Sequence, residues 1–279
     1  MRMALALALA AWFAPVLAQS PTQSFHLIGV PTQGALMTGE APAGAVSVVL
    51  RIPDAPDVPV TLENGRFLVG FDRDAGPVAE LVAVLADGRE LCHPLAVAPR
   101  AWRIERVDAP LRAGRTTAAL DRLRPAELAR IAAARAVETG ATGWRGALRR
   151  PAQGRVSGLF GAQRVYRGVP GSFHSGVDIA LPTGFPVLAP ADGVVVLAAD
   201  PARPFTLEGN LLIVDHGAGL SSAFLHLSRI DVEEGERVVA GQRIGAVGAT
   251  GRATGPHLHW GLRWRDARVD PLPVAGAML

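Results

Sequence analysis

The first hundred residues alternate short apolar runs with turn residues. Residues 58–63 and 66–71 flank Asn64-Gly65, a pair that supplies the positive φ angles of a tight hairpin. Residues 81–85 and 89–92 flank Asp87-Gly88 and predict a second hairpin, and residues 100–107 predict a further strand. Together these segments predict a small amino-terminal β-sandwich over 19–107. The period then changes. Pro125 suits the first position of a helix running through 126–137 and closed by Gly140, which predicts a helical connector over 108–150. Short strands return at 156–160, 194–197, 211–214, 222–227, 238–239 and 244–247, separated by glycine-containing turns. They predict a second, antiparallel β domain over 151–279, so the expected fold class is mostly β.

The first eighteen residues lie outside this pattern. Arg2, an apolar run and the small-residue ending Val16-Leu17-Ala18 predict a secretory signal peptide over 1–18. The run is shorter than the roughly 20 residues a spanning helix needs and contains Pro15. The expected mature chain is therefore periplasmic or secreted, with no membrane anchor after signal removal. At 279 residues and 49% hydrophobic, it has material for a sizeable core. Its single cysteine, Cys92, excludes an intramolecular disulfide framework and a cysteine-based metal cluster, and reads as a small buried residue. The 28 basic residues include no lysine and are scattered among 25 acids. With one tyrosine and no aromatic platform beside a basic stripe, nucleic-acid binding is not expected.

Histidine placement changes the picture. Five of the seven histidines (His174, His216, His226, His257, His259) fall between residues 173 and 260. On a strand, His257 and His259 project from one face, about 7 Å apart along the backbone. His174 and Asp178, four apart around Gly176, share a face on a helical turn or an extended strand. Imidazole and carboxylate together suit zinc, and three protein ligands leave the fourth position open, as in catalytic sites. Spacing alone leaves open which of His257 and His259 is the third ligand.

At these residues the chain resembles the lysostaphin/LytM-type zinc metalloendopeptidases, which cut peptide cross-links of bacterial cell walls. The resemblance is carried by His174-Ser-Gly-Val-Asp178, Phe224-Leu-His226-Leu-Ser228 and Thr254-Gly-Pro-His257-Leu-His259-Trp260, with supporting text at Pro190-Ala-Asp-Gly-Val-Val195 and Val238-Val-Ala-Gly-Gln-Arg-Ile-Gly245. It covers about residues 150–272. It implies one zinc ion per chain held by His174, Asp178 and His259. His226 and His257 are then the catalytic pair, accepting a proton from the attacking water and stabilising the tetrahedral intermediate. It also implies peptidoglycan as partner, with an extended peptide in a groove of the β domain, and the loop over 163–172, with Arg164, Tyr166 and Arg167, reads as lining or covering that groove. His216 lies outside this set and reads as structural. The chain departs from the family pattern at Phe224, where tyrosine is common and a hydroxyl would be lost, and at Arg150-Pro151, which replaces an aromatic-proline pair.

Two other readings compete. A non-hydrolytic regulator of cell-wall hydrolases shares this fold but is expected to lack some of the five residues; the amino-terminal half is the candidate surface for docking other cell-wall enzymes. A sugar-transport phosphocarrier uses two neighbouring histidines, yet has no evident need for Asp178 and conflicts with an export signal.

Overall fold

A computed structural model of the chain describes residues 24–110 and 118–277; the expected signal peptide lies outside the described residues. No helix among the described residues is long and apolar enough to cross a membrane. The amino-terminal half contributes β1 (His26–Ile28), β2 (Leu36–Glu40), β3 (Ala45–Arg51), β4 (Val58–Val60), β5 (Arg66–Gly70), β6 (Val78–Leu85), β7 (Glu90–Ala96) and β8 (Ile104–Val107). A three-stranded sheet, β1-β2-β5, and a four-stranded sheet, β4-β3-β6-β7, share a core that includes Met37, Leu50, Phe67 and Leu81.

Asn64 and Gly65 do form a tight turn, with φ of 51° and 78° and reciprocal Glu63 and Arg66 backbone hydrogen bonds of 2.9 Å. The expected hairpin goes no further. Beyond the turn the chain diverges, β4 pairing with β3 and β5 with β2, so the turn joins two sheets. The Asp87-Gly88 hairpin is present as β6 and β7. Cys92 is exposed on β7, an edge strand, which overturns its reading as a buried residue.

Helix α1 (Ala118–Arg135) includes seven residues ahead of the expected start at Pro125, placing that proline inside it. Proline fits the helical φ but leaves the carbonyl four residues back without its donor. α1 lies on one face of the carboxy-terminal sheet, where Ile131 and Ala134 pack with Leu197, Phe205, Leu211 and Ile213.

The remaining strands are β9 (Arg155–Gly158), β10 (Gln163–Tyr166), β11 (Val169–Phe173), β12 (Val177–Ala180), β13 (Pro186–Leu188), β14 (Gly193–Ala198), β15 (Asn210–Gly217), β16 (Leu220–Leu227), β17 (Arg229–Ile230), β18 (Arg237–Val238), β19 (Arg243–Ala246), β20 (His257–Trp264) and β21 (Ala267–Val269), followed by the short helix α2 (Pro271–Ala277). The main sheet runs β18-β14-β15-β16-β20-β12-β9, with β21 beside β20. Its long strands are mutually antiparallel, and β20 is an interior strand between β16 and β12.

The segment over 163–172, expected as a loop, is the β10–β11 hairpin, and β10 also pairs in parallel with β8 of the amino-terminal half. Arg164 and Arg167 there are paired with Glu105 and Asp108. Both halves share one continuous core: Gly70 lies so close to Trp264 that a β-carbon would sit 2.9 Å from the tryptophan Cβ.

Candidate metal centre

Strand alternation builds the site. On β20, Leu258, Trp260, Leu262 and Trp264 are buried on the core face, which turns His257 and His259 to the opposite face. In register, Asp178 of β12 stands directly across from His259, and opposed residues of an antiparallel pair share a face. His174 enters from the segment just before β12.

Three donor atoms then meet: His174 Nε2 lies 3.0 Å from Asp178 Oδ1 and 3.0 Å from His259 Nδ1, and His259 Nδ1 lies 2.9 Å from Asp178 Oδ1. Glycines make room for this. A β-carbon at Gly176 would sit 2.8 Å from His259 Nε2 and 2.4 Å from the Trp260 carbonyl oxygen, and one at Gly158 would sit 2.4 Å from Asp178 Oδ2.

His226 reaches the same face by a different route. Even-numbered residues of β16 point to the core, as Phe224 does, so a regular strand would bury His226 there. The β15–β16 register shifts between Leu212↔Phe224 and Asn210↔Leu227, placing two β16 residues opposite one, a bulge. His226 occupies it with φ of 64°, and its backbone N–H donates to the Glu208 carbonyl at 2.8 Å. A side chain at positive φ is strained, and bulges beside functional sites re-aim side chains. The His226 ring ends 4.9 Å from the His257 ring and 6.3 Å from that of His259.

Backbone carbonyls set the proton positions. His174 Nδ1–H donates to Leu159 O at 3.0 Å, His226 Nδ1–H to Thr250 O at 2.8 Å and His257 Nδ1–H to Gly255 O at 2.8 Å. Each neutral ring therefore keeps its lone pair on Nε2. For His174 that lone pair faces a carboxylate oxygen and a second imidazole. Such close approach of the three atoms needs a proton or a cation between them, and two imidazoles with one carboxylate form a donor set that fits zinc.

The electrostatics follow the same logic. Burial works against the Asp178 charge, yet hydrogen bonds from His174 and His259 hold this carboxyl well below the usual carboxylate range. Burial also opposes the charge on His174, but hydrogen bonding and charge attraction to Asp178, with the Leu159 carbonyl, raise its pKa. Burial pushes His259 and His226 down; like charge adds to this at both, while Asp178 and the Thr250 carbonyl, respectively, oppose it.

Thus His174, Asp178, His226, His257 and His259 all gather at one place on the outer face of the main sheet. His216 does not. It is fully buried, with Nδ1–H donating to Asp192 O and Nε2 accepting from Ser222 Oγ, both at 2.9 Å, while Ser222 Oγ accepts Trp260 Nε1–H at 3.2 Å. Phe224 pairs with Trp260 on the core face, so a hydroxyl on that ring would not enter the site; the expected loss there is overturned. Sequence reading missed the three carbonyls, the bulge and Gly158, none of which leaves a local sequence signal.

Residues 172–271 match the model of Peptidase family M23. The chain is 44% identical over 99 residues to peptidoglycan DD-endopeptidase ShyA of Vibrio cholerae serotype O1, covering 36% of this chain and 22% of ShyA. It is 41% identical over 102 residues to DD-carboxypeptidase/endopeptidase Mpg of Neisseria meningitidis serogroup B, covering 37% and 23%. It therefore spans under a quarter of the length of these curated relatives. The crystal structure of an M23 protein from Pseudomonas aeruginosa matches over nearly its whole length, with 30% identity, a TM-score of 0.67 and coverage of 90% of this chain and 97% of that one. Because that likeness runs through both halves and the family motif lies on the strands that form the site, the chain belongs to peptidase family M23.

Proposed function

We propose that this protein is an exported zinc endopeptidase that hydrolyses amide bonds in peptidoglycan stem peptides or their cross-bridges. The convergence of His174 Nε2, Asp178 Oδ1 and His259 Nδ1, within 3.0 Å of one another, carries the reading. These three residues hold the metal. When bound, zinc supplies a Lewis acid for the amide carbonyl and lowers the pKa of water to about 7.

The remaining chemistry belongs to His226 and His257. With Nδ1–H tied to Thr250 and Gly255, each presents Nε2 to the site as a proton acceptor. Once protonated there, the same nitrogen donates, either to the oxyanion of the tetrahedral intermediate or to the leaving amine. Burial holds the His226 pKa low, which keeps its Nε2 free to accept near neutral pH. ShyA is named a peptidoglycan DD-endopeptidase and Mpg a DD-carboxypeptidase/endopeptidase, which supports the substrate class. The division over 19–107, 108–150 and 151–279 stands as the proposed domain plan, with residues 1–18 as its export signal.

The test is digestion of purified peptidoglycan by the zinc-loaded full chain, with mass spectrometry of the fragments. New amine termini are expected, and His174→Ala and Asp178→Ala should abolish both these and the bound metal. A chain that holds one zinc ion yet releases no new amine terminus would instead be a non-hydrolytic regulator.

A further inference from the structure

We propose that Arg73, on the amino-terminal half, is a positioning residue for the metal ligand His174, so that this half is part of the site's scaffold. The inference rests on the reading of His174 as a ligand. Three polar groups of His174 rest on the turn over 159–162: its N–H donates to Ala162 O at 2.8 Å, its carbonyl accepts from Gly161 N–H at 2.8 Å, and its ring Nδ1–H donates to Leu159 O. Whatever fixes this turn fixes the ring.

The far side of the turn is held by the amino-terminal half. Arg73 is 6% exposed. Its Nε–H donates to Gly161 O at 3.0 Å and its Nη2 to Gln163 Oε1 at 2.9 Å, and Gln163 Nε2 continues to Gly171 O at 2.6 Å. The guanidinium also lies over the rings of Trp102, at 5.4 Å, and Phe173, at 4.8 Å. Trp102 closes the last side: Gly161 has φ of +78°, and a β-carbon there would fall 2.1 Å from the indole.

A buried cation is an expensive way to fill space, since an apolar side chain of equal volume stabilises a core as well or better. What only a planar guanidinium provides is a rigid fork that, beside its ion pair with Asp74 at 2.5 Å, satisfies two further acceptors while stacking on aromatic faces. Here the fork ties the turn beneath His174 to the strand that leads into it. Groups that orient metal ligands in this way typically change metal affinity 10–100-fold when removed.

The experiment compares Arg73→Met, which keeps the aliphatic stem but loses the donors, with Arg73→Lys and with Leu81→Ala. Leu81 is fully buried on β6, which pairs with β3 and β7 rather than with the turn, so its truncation reports on destabilisation. Zinc affinity is read by chelator competition. The His174 tautomer is read by nitrogen-15 NMR of metal-free protein. Arg73→Met is expected to weaken zinc about 10–100-fold and to let the proton exchange between the two ring nitrogens of His174, with Arg73→Lys intermediate. Leu81→Ala should lower the melting temperature with zinc affinity within twofold of wild type. Should Arg73→Met not fold, Gln163→Leu cuts the same tie from the other side. Wild-type zinc affinity and an unchanged His174 tautomer in the folded variant would overturn the proposal. Undiminished zinc binding by His174→Ala would sink the ligand assignment instead, while the tautomer measurement still reports on Arg73.

Discussion

Gly158→Ala offers a steric test of the metal centre that leaves every proposed ligand in place. Gly158 faces Asp178 across the β9–β12 pair, and a β-carbon there would lie 2.4 Å from Oδ2 and 2.9 Å from Cγ. Since 3.0 Å is the closest approach such carbons tolerate, the deficit is about 0.6 Å, beyond the roughly 0.5 Å within which a working site must be held. Two relaxations are open. The carboxylate can swing away, but Oδ1 then leaves its 3.0 Å and 2.9 Å positions beside His174 and His259. Alternatively β9, an edge strand, can move outward, but it carries along Leu159, whose carbonyl fixes the His174 ring. Either path reaches a ligand, so zinc affinity should fall about 10–100-fold, equivalent to about 1.4–2.8 kcal/mol. The assay is competition against a chromophoric chelator, with melting of the metal-free proteins in parallel. Gly154→Ala is the matched control, because its β-carbon would meet only Ile179 and Leu181, 2.8 Å and 2.9 Å away. It should cost stability without changing affinity. A Gly158→Ala protein that binds zinc within twofold of wild type would refute the reasoning.

Three further predictions use other parts of the fold. His226→Ala should lower peptidase activity about 10²–10⁴-fold with bound metal unchanged. His226→Gly should be about as inactive yet more stable than His226→Ala by about 1 kcal/mol in urea titrations, because glycine carries no penalty at φ of 64°. Arg124 grips Glu208 with two bonds of 2.6 Å and 2.7 Å in a half-buried pair, so Arg124→Ala should cost about 1.5–3 kcal/mol and speed amide exchange in α1. Arg130→Ala, which breaks an exposed pair with Glu234, should cost no more than about 1 kcal/mol. Burial lowers the His216 pKa in the folded chain, so the unfolded imidazole protonates first, near pH 6.5, and stability drains as pH falls below that value. This residue's share of the stability lost between about pH 7.5 and 5.5 should vanish from the difference between those two pH values in His216→Gln.

Much of the site was legible because it rests on alternation. His257, His259 and Asp178 lie on regular strands, where period two sends them to one face. The polar-apolar order of His257-Leu-His-Trp260 already contains that geometry. His226 was different: Phe224-Leu-His-Leu227 reads as ordinary strand, and its redirection depends on the register shift against residues 210–212 of β15 and on the Glu208 carbonyl, which the local sequence cannot point to. The Asn64-Gly65 turn was legible as a turn, but the destination of the strands on either side was not, because sheet membership is decided by distant partners. Pro125 misled for a related reason. Its ring fits any position whose lost hydrogen bond other contacts outweigh, and α1 gains those contacts from the sheet beneath it. Least visible was the docking of the amino-terminal half, where Arg73 and β8 meet segments some ninety and sixty residues away.

The interior position of β20 also sets a timetable. During synthesis β12 and β16 emerge well before it, and each lacks its neighbour on that side until His257–Trp264 arrives and slots between them. His174 and Asp178 thus wait some eighty residues for their third companion. A chain halted between residues 178 and 257 holds two of the three donors and lacks His257 and His259. Completion of the donor cluster is therefore a late event of synthesis, a delay written into strand order.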